Sequence, residues 1–218
     1  MHVYHFVPAN YGLEDLRRRR VKIATIDDLN DPFELLCIDL SNPELREAMR
    51  KWKAGMASFC GMVCFSRTWR NPVQWSHYAD KHRGLCLGFD VPDDSALPVT
   101  YSGLRSREEA RELLERGTTN EATVQKFLST KYAHWHYEQE VRLFVKLEDR
   151  DPEAQLFFED FSDKLKLTEV IVGAESTVTR SDLETALGSL ASSVSFRKAR
   201  LAFKSFRVTT QQDRRLWG

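Results

Sequence analysis

The sequence predicts a single α+β domain, because strand-like and helix-like segments follow one another without regular strand–helix–strand alternation. No internal repeat or low-complexity linker divides the chain, and 218 residues suffice for one sizeable core. Hydrophobic residues make up 42% and charged residues 29%, a balance that excludes a disordered polymer.

Val3–Val7 reads as a first strand, Tyr11–Arg20 as a helix and Val21–Ile26 as a second strand. Arg17 to Arg20 form a basic run, read as cations complementing the dipole at a helix C-terminus. Asn30-Asp31-Pro32 breaks any periodic element and predicts a turn. Pro43–Lys53 has a helical pattern, with Pro43 in the first turn, and Ala57–Ser66 reads as a buried strand. The clearest helix start follows. Asn71 can cap, Pro72 suits the first position, and Trp75, Tyr78, Ala79 and His82 repeat at helical spacing, with Gly84 to end the helix. Leu85–Asp90 returns as a strand.

Ser106-Arg107-Glu108-Glu109 predicts a capping box for a helix to Arg116, ended by Gly117. A further helix is expected from Glu121 to about Tyr132, then strands at Trp135–Val145 and Glu169–Gly173. Ser181 to Glu184 open another capped helix. Val194–Lys198 and Ala202–Val208 close the reading as a hairpin.

Lys plus Arg and Asp plus Glu number 32 each, so no global charge excess points to nucleic acid or an anionic surface. A secretion pattern is not seen at the N-terminus, and no apolar run reaches the roughly 20 residues of a membrane span. A cytoplasmic protein without membrane contact is expected. Cys37, Cys60, Cys64 and Cys86 sit in apolar contexts and read as free thiols.

Three places carry candidate chemistry. On a strand from His136, one face would present His136, Glu138, Glu140, Arg142 and Phe144, with the two carboxylates about 7 Å apart. The bland alternative is a solvated row of weak ion pairs. Trp75 and Tyr78 share a helix face, which is usually core but can form a flat wall for a planar ligand. His5 lies between two aromatic residues on the first strand and gains interest only if it faces the same cleft. Gly-rich phosphate loops and a nucleophile elbow are absent, and His134-x-His136 lacks the partners of a metal site.

Asn30-Asp31-Pro32-Phe33-Glu34, the stretch from Cys64 through Trp75-Ser76-His77-Tyr78-Ala79-Asp80 to Phe89, and Lys131 with Trp135 and Glu138-x-Glu140-x-Arg142 resemble a prokaryotic family of domains of unknown function. The resemblance spans Tyr4 to about Gly173. A more distant likeness is to ADP-ribosyltransferases, with Tyr4-His5-Phe6, Tyr78 and Glu140 in matching order. It implies a mixed, mainly antiparallel central sheet with flanking helices, and NAD as substrate. His5 would hydrogen-bond the adenosine-side ribose, Tyr78 with Trp75 beside it would face nicotinamide, and Glu140 would bind the nicotinamide ribose. Glu138 would orient or deprotonate the acceptor, a protein or nucleic acid. Such enzymes act as toxins or phage-defence effectors, so an antitoxin or inhibitor partner is also implied. A non-catalytic binding module and a metal-dependent hydrolase or nuclease stay open as alternatives.

Overall fold

The computed structural model describes residues 1–117 and 120–217. Strands β1 (His2–Val7), β2 (Arg20–Thr25), β3 (Cys60–Ser66), β4 (Leu85–Asp90), β5 (Leu97–Pro98), β8 (Glu140–Lys146), β9 (Phe157–Asp160), β10 (Lys166–Val172), β11 (Ser195–Leu201) and β12 (Val208–Thr210) form one ten-stranded sheet. Its main path runs β12-β11-β10-β4-β1-β3-β2-β9, with β8 and then β5 added on β3. Every pairing in it is antiparallel except β10 with β11. Two short strands, β6 (Thr100–Ser102) and β7 (Thr130–Tyr132), pair separately and in parallel. Helices α1 (Ala9–Arg18), α2 (Pro43–Ala57), α3 (Pro72–Tyr78), α4 (Arg107–Arg116), α5 (Glu121–Ser129) and α6 (Arg180–Leu187) flank the sheet. This is the α+β arrangement, with a mixed and mainly antiparallel sheet, in one domain.

The core lies on both faces of the sheet. Val3, Val7, Leu85, Leu87, Phe89, Val170 and Val172 bury one face against Leu16 of α1 and Leu183 and Leu187 of α6. The opposite face buries Cys86, Ile171, Ala199 and Val208 under Trp69 and Trp75. Full burial of such side chains stabilises by roughly 1.5–3 kcal/mol each, which is why strands at the centre read as nearly continuous apolar runs. A smaller cluster joins α2, α4 and α5 through Leu45, Met49, Ala110 and Phe127. None of the described helices is long and apolar enough to cross a membrane.

Several boundaries depart from the sequence expectation for identifiable reasons. The first helix stops at Arg18, because Arg19 adopts a left-handed conformation (φ 54°) and Arg20 already pairs in β2. Only Arg17 and Arg18 of the basic run therefore sit in the helix's last turn. The helix from Glu121 ends at Ser129, since Thr130 to Tyr132 pair with β6. Thr179 rather than Ser181 caps α6, exchanging hydrogen bonds with Asp182 in a true capping box. Ser106 occupies the N-cap of α4 but makes no side-chain cap bond. The C-terminal hairpin is present with its second strand moved to Val208–Thr210.

The largest change affects the segment expected as one strand from Trp135. Ala133–Glu138 is a 3₁₀ helix, Gln139 is left-handed (φ 46°), and β8 begins only at Glu140. Side chains of the preceding layer explain it. Asn71 Nδ2 and Gln74 Nε2 donate to the Tyr137 carbonyl at 3.0 and 2.9 Å, and Gln74 Nε2 also reaches the Glu138 carbonyl at 2.8 Å. These carbonyls are satisfied without a ladder. Glu138 and Glu140 thus do not sit on one strand face.

Candidate functional site

The two halves of the sheet meet at β1 and β3 through a single aligned pair, Tyr4 with Ser66. Beyond it the strands separate, and the opening becomes a cleft of about 240 Å³. His5 bridges the split by its side chain, with Nδ1 3.0 Å from the Cys64 carbonyl. A carbonyl only accepts, so Nδ1 carries the proton and Nε2 is left as an acceptor. Burial lowers the His5 pKa below its ordinary 6.5 against the opposing effect of that hydrogen bond, so the ring is mainly neutral at pH 7.

Helix α3 supplies the adjoining wall. Asn71 accepts from the Val73 amide and Pro72 occupies the first turn, as expected from the sequence. The helix ends earlier than its periodicity predicts. Asp80, Lys81 and His82 are all left-handed (φ 43°, 54° and 70°), which places Tyr78 at the last helical position. There the Tyr78 hydroxyl donates a short hydrogen bond to Glu138 Oε1 and accepts one from Asn30 Nδ2 at 2.9 Å. Trp75 points the other way. It is fully buried against the sheet, its Nε1 donates to the Trp69 carbonyl at 2.6 Å, and it is not among the residues lining the cleft. The expected placement of Trp75 beside a bound ligand is therefore corrected: three positions along a helix separate a core-facing ring from a cleft-facing one.

The base of the cleft is a buried ion network centred on Lys131, at the middle of β7. Its Nζ donates to Glu138 Oε2 at 2.7 Å and Glu140 Oε2 at 2.9 Å, and lies 3.8 Å from Glu34. Arg142 closes the far side, donating from Nε to Glu140 Oε1 at 2.8 Å and from Nη2 to Oε2 at 3.1 Å. Its Nη2 also stands 2.7 Å from Glu34 Oε1 as an ion pair, off the line of a hydrogen bond, so that oxygen has no directed donor. All five side chains are buried, and Arg142 is only 1% exposed. Three carboxylates face two cations, leaving one negative charge in excess. Burial pushes the Glu34 carboxyl up despite the cations beside it, and so counters that excess.

Glu140 and Glu138 are held differently. Burial raises the Glu140 pKa, but Arg142 and Lys131 outweigh it and hold the carboxyl at about 2. Burial likewise opposes the charge on Lys131, yet Glu140, Glu138 and Glu34 raise its pKa above the ordinary value. Burial and the charge of Glu138 push the Tyr78 hydroxyl up, keeping it a donor. A carboxylate offers about four acceptor sites. Glu140 accepts three hydrogen bonds, whereas Glu138 accepts two, from Tyr78 and Lys131. Glu138 has the greater remaining capacity for a ligand.

His5, Tyr78, Glu138 and Glu140 therefore line one cleft. The sequence reading assigns no role to Lys131, Glu34 or Gln74. Gln74 Nε2 is shared among Ser66 Oγ and the Tyr137 and Glu138 carbonyls, while its buried Oε1 has no partner among the described residues. The usable signal for Glu34 is its turn: Leu35 is fully buried with φ 63°, and strained left-handed residues thus adjoin both Glu34 and the Glu138/Glu140 pair. Lys131 stands in a stretch that carries the family resemblance, but its place at the centre of the site arises only when three acids converge on it. Among the described residues, no group of three or more His, Cys, Asp or Glu side chains is arranged to hold a metal ion.

Residues 74–143 match the family model of a protein of unknown function, DUF2971. The expected likeness to a family without assigned function is thereby borne out over that stretch. The matched stretch runs from α3 into β8 and contains Tyr78, Lys131, Glu138, Glu140 and Arg142, while His5 and Glu34 lie outside it. No curated protein and no solved structure matches the chain.

Proposed function

We propose that the cleft binds the nicotinamide–ribose end of NAD and breaks the bond between them, transferring ADP-ribose to an acceptor. One observation carries this reading: His5, Tyr78 and the Glu138/Glu140 pair, from three separate segments, line a single cleft at a split in the sheet. In the step, the C1′–N bond breaks, its electron pair leaves with nicotinamide, and positive charge develops on the ribose. A fixed carboxylate stabilises that charge without reorganising. Glu138 is the better placed of the two for this, because Tyr78 and Lys131 hold it while part of its acceptor capacity stays free. The acceptor then bonds to C1′ and loses its proton, for which the neutral His5 Nε2 and Glu138 are the available bases. A cleft of about 240 Å³ receives one end of a dinucleotide. Its acidic lining, with Asp28 added to the three glutamates, directs the diphosphate to the rim.

The same acid excess, with Glu140 already neutralised by Arg142 and Lys131, favours a second reading: a non-catalytic site for a cationic ligand. The two separate in solution. Under the transferase reading, NAD at about 100 times its Kd stabilises the protein by about 2.7 kcal/mol, and nicotinamide appears on incubation. Glu138→Gln abolishes nicotinamide release while the protein stays folded. A protein that releases no nicotinamide and shows no thermal shift with NAD, but shifts with an organic cation, is the binding module instead. A toxin or phage-defence role, with its inhibitor partner, belongs to the transferase reading and is tested by whether expression arrests growth in a Glu138-dependent way.

A further inference from the structure

The hairpin of β11 and β12 projects a loop that the cleft does not use. The Ala202 amide donates to the Arg207 carbonyl at 2.9 Å and closes it, leaving Phe203, Lys204, Ser205 and Phe206 at the tip. Phe203 is 90% exposed and Phe206 99% exposed, so neither ring contributes to the core. Two phenyl rings held in water are an unfavourable arrangement without a partner.

Their surroundings are basic. From Thr185 to Gln212 the sequence has no Asp or Glu but has Arg197, Lys198, Arg200, Lys204 and Arg207. Arg197 is committed to Glu169, and Lys198 to the Ser176 carbonyl. Arg200, Lys204 and Arg207 pair with no carboxylate among the described residues. The Arg200 guanidinium lies 4.4 Å from the Phe203 ring centroid, holding a cation against the ring. At the hairpin base the Val208 amide donates to the Arg70 carbonyl at 2.9 Å. The basic loop is thereby fastened to the segment that leads into α3.

We propose that this tip is a binding platform for single-stranded nucleic acid, with bases stacking on Phe203 and Phe206 and phosphates meeting Arg200, Lys204 and Arg207. Flat π-faces alternating with cations along a short loop suit a strand whose bases and phosphates alternate likewise. A membrane-inserting tip would need contiguous apolar surface, and Lys204 and Ser205 interrupt it here. The proposal stands apart from the reading of the cleft, and its test needs neither NAD nor turnover.

The test is fluorescence anisotropy of the full chain with a labelled oligothymidylate and an oligouridylate of about 12 nucleotides. Saturable binding is expected at about 50 mM salt, weakening as salt rises, because released counterions drive the association. Phe203→Ala with Phe206→Ala should weaken binding by about tenfold or more with an unchanged melting temperature and salt slope. Lys204→Ser with Arg207→Ser should instead flatten the slope of log K against log salt by about 1.4, roughly 0.7 for each phosphate no longer neutralised. Failure to bind either oligonucleotide overturns the proposal. So does equal binding by the double-alanine variant, or sedimentation with phosphatidylserine vesicles that the oligonucleotide does not compete away.

Discussion

The two ends of the Lys131 network are built from the same chemistry and serve different ends. At one, Glu140 is gripped by Arg142 on both oxygens, shares Lys131, and donates from its own amide to the Tyr101 hydroxyl at 2.8 Å. At the other, the Glu138 carboxylate accepts, among the described residues, from Lys131 and the Tyr78 hydroxyl. The difference teaches that a carboxylate held by two cations has little acceptor capacity left for a ligand. Glu140 orients the network and stabilises the fold, and Glu138 retains capacity for a ligand. Under the proposed transferase reading, Glu138 then takes the role that the likeness to ADP-ribosyltransferases assigns to Glu140.

The largest effect should come from breaking the sealed end. Arg142→Ala leaves Glu140 and Glu34 buried without their guanidinium and should cost about 3–5 kcal/mol in urea denaturation. If the loss is under about 1 kcal/mol, the far end is solvated in solution and resembles an ordinary surface pair. Glu140→Gln belongs to the same class, which makes it a poor probe of catalysis because lost activity and lost stability arrive together.

Acid should probe the same end without mutation. The Glu140 pKa falls from an ordinary 4.5 to about 2 in the folded state. A carboxyl with a depressed folded pKa contributes stability that is fully present above the unfolded value and lost as pH falls toward the folded one. For Glu140 this is about 3 kcal/mol, lost between about pH 4.5 and pH 2. Glu34 is shifted upward by burial, so its opposite contribution acts above its ordinary 4.5, outside that window. A stability curve flat from pH 5 to 2 in wild type would contradict the assignment.

The open end should respond more weakly in stability and more strongly in ligand binding. Glu138→Gln keeps an acceptor for Tyr78 and leaves Lys131 paired with Glu140, so a loss of about 1–2 kcal/mol is expected. Tyr78→Phe removes the hydrogen bond donated to Glu138 and the exposed one accepted from Asn30, and should cost about 1.5 kcal/mol, read as a small drop in urea midpoint. Should Glu138→Gln destabilise as much as Arg142→Ala, the two ends are equivalent and the division of labour fails.

Helix α3 and the segment from Ala133 to Lys146 show where sequence reasoning reaches. The start of α3 is local: Asn71 accepts from the Val73 amide and Pro72 fixes its own φ in the first turn, so it is legible from neighbouring residues alone. Its end is not, because three left-handed residues replace the last expected turn. In the later segment the alternation from Trp135 mimics a strand, yet donors on α3, sixty or more residues away, capture its carbonyls and leave a 3₁₀ turn.

By itself the sequence determined the α+β class, the central strands, the caps and turns, and the short roll of side chains from which a site could be drawn. Those properties depend on periodicity and on interactions between near neighbours. Tertiary structure alone decided that β1 and β3 part after one pair, that Trp75 belongs to the core and Tyr78 to the cleft, and that Lys131 gathers three acids. Such decisions rest on long-range electrostatics and on hydrogen bonds between distant segments, and no local pattern encodes which carboxylate a buried cation will meet. Glu138 and Glu140 are two residues apart in the chain, but it is Lys131 rather than a shared strand face that joins them.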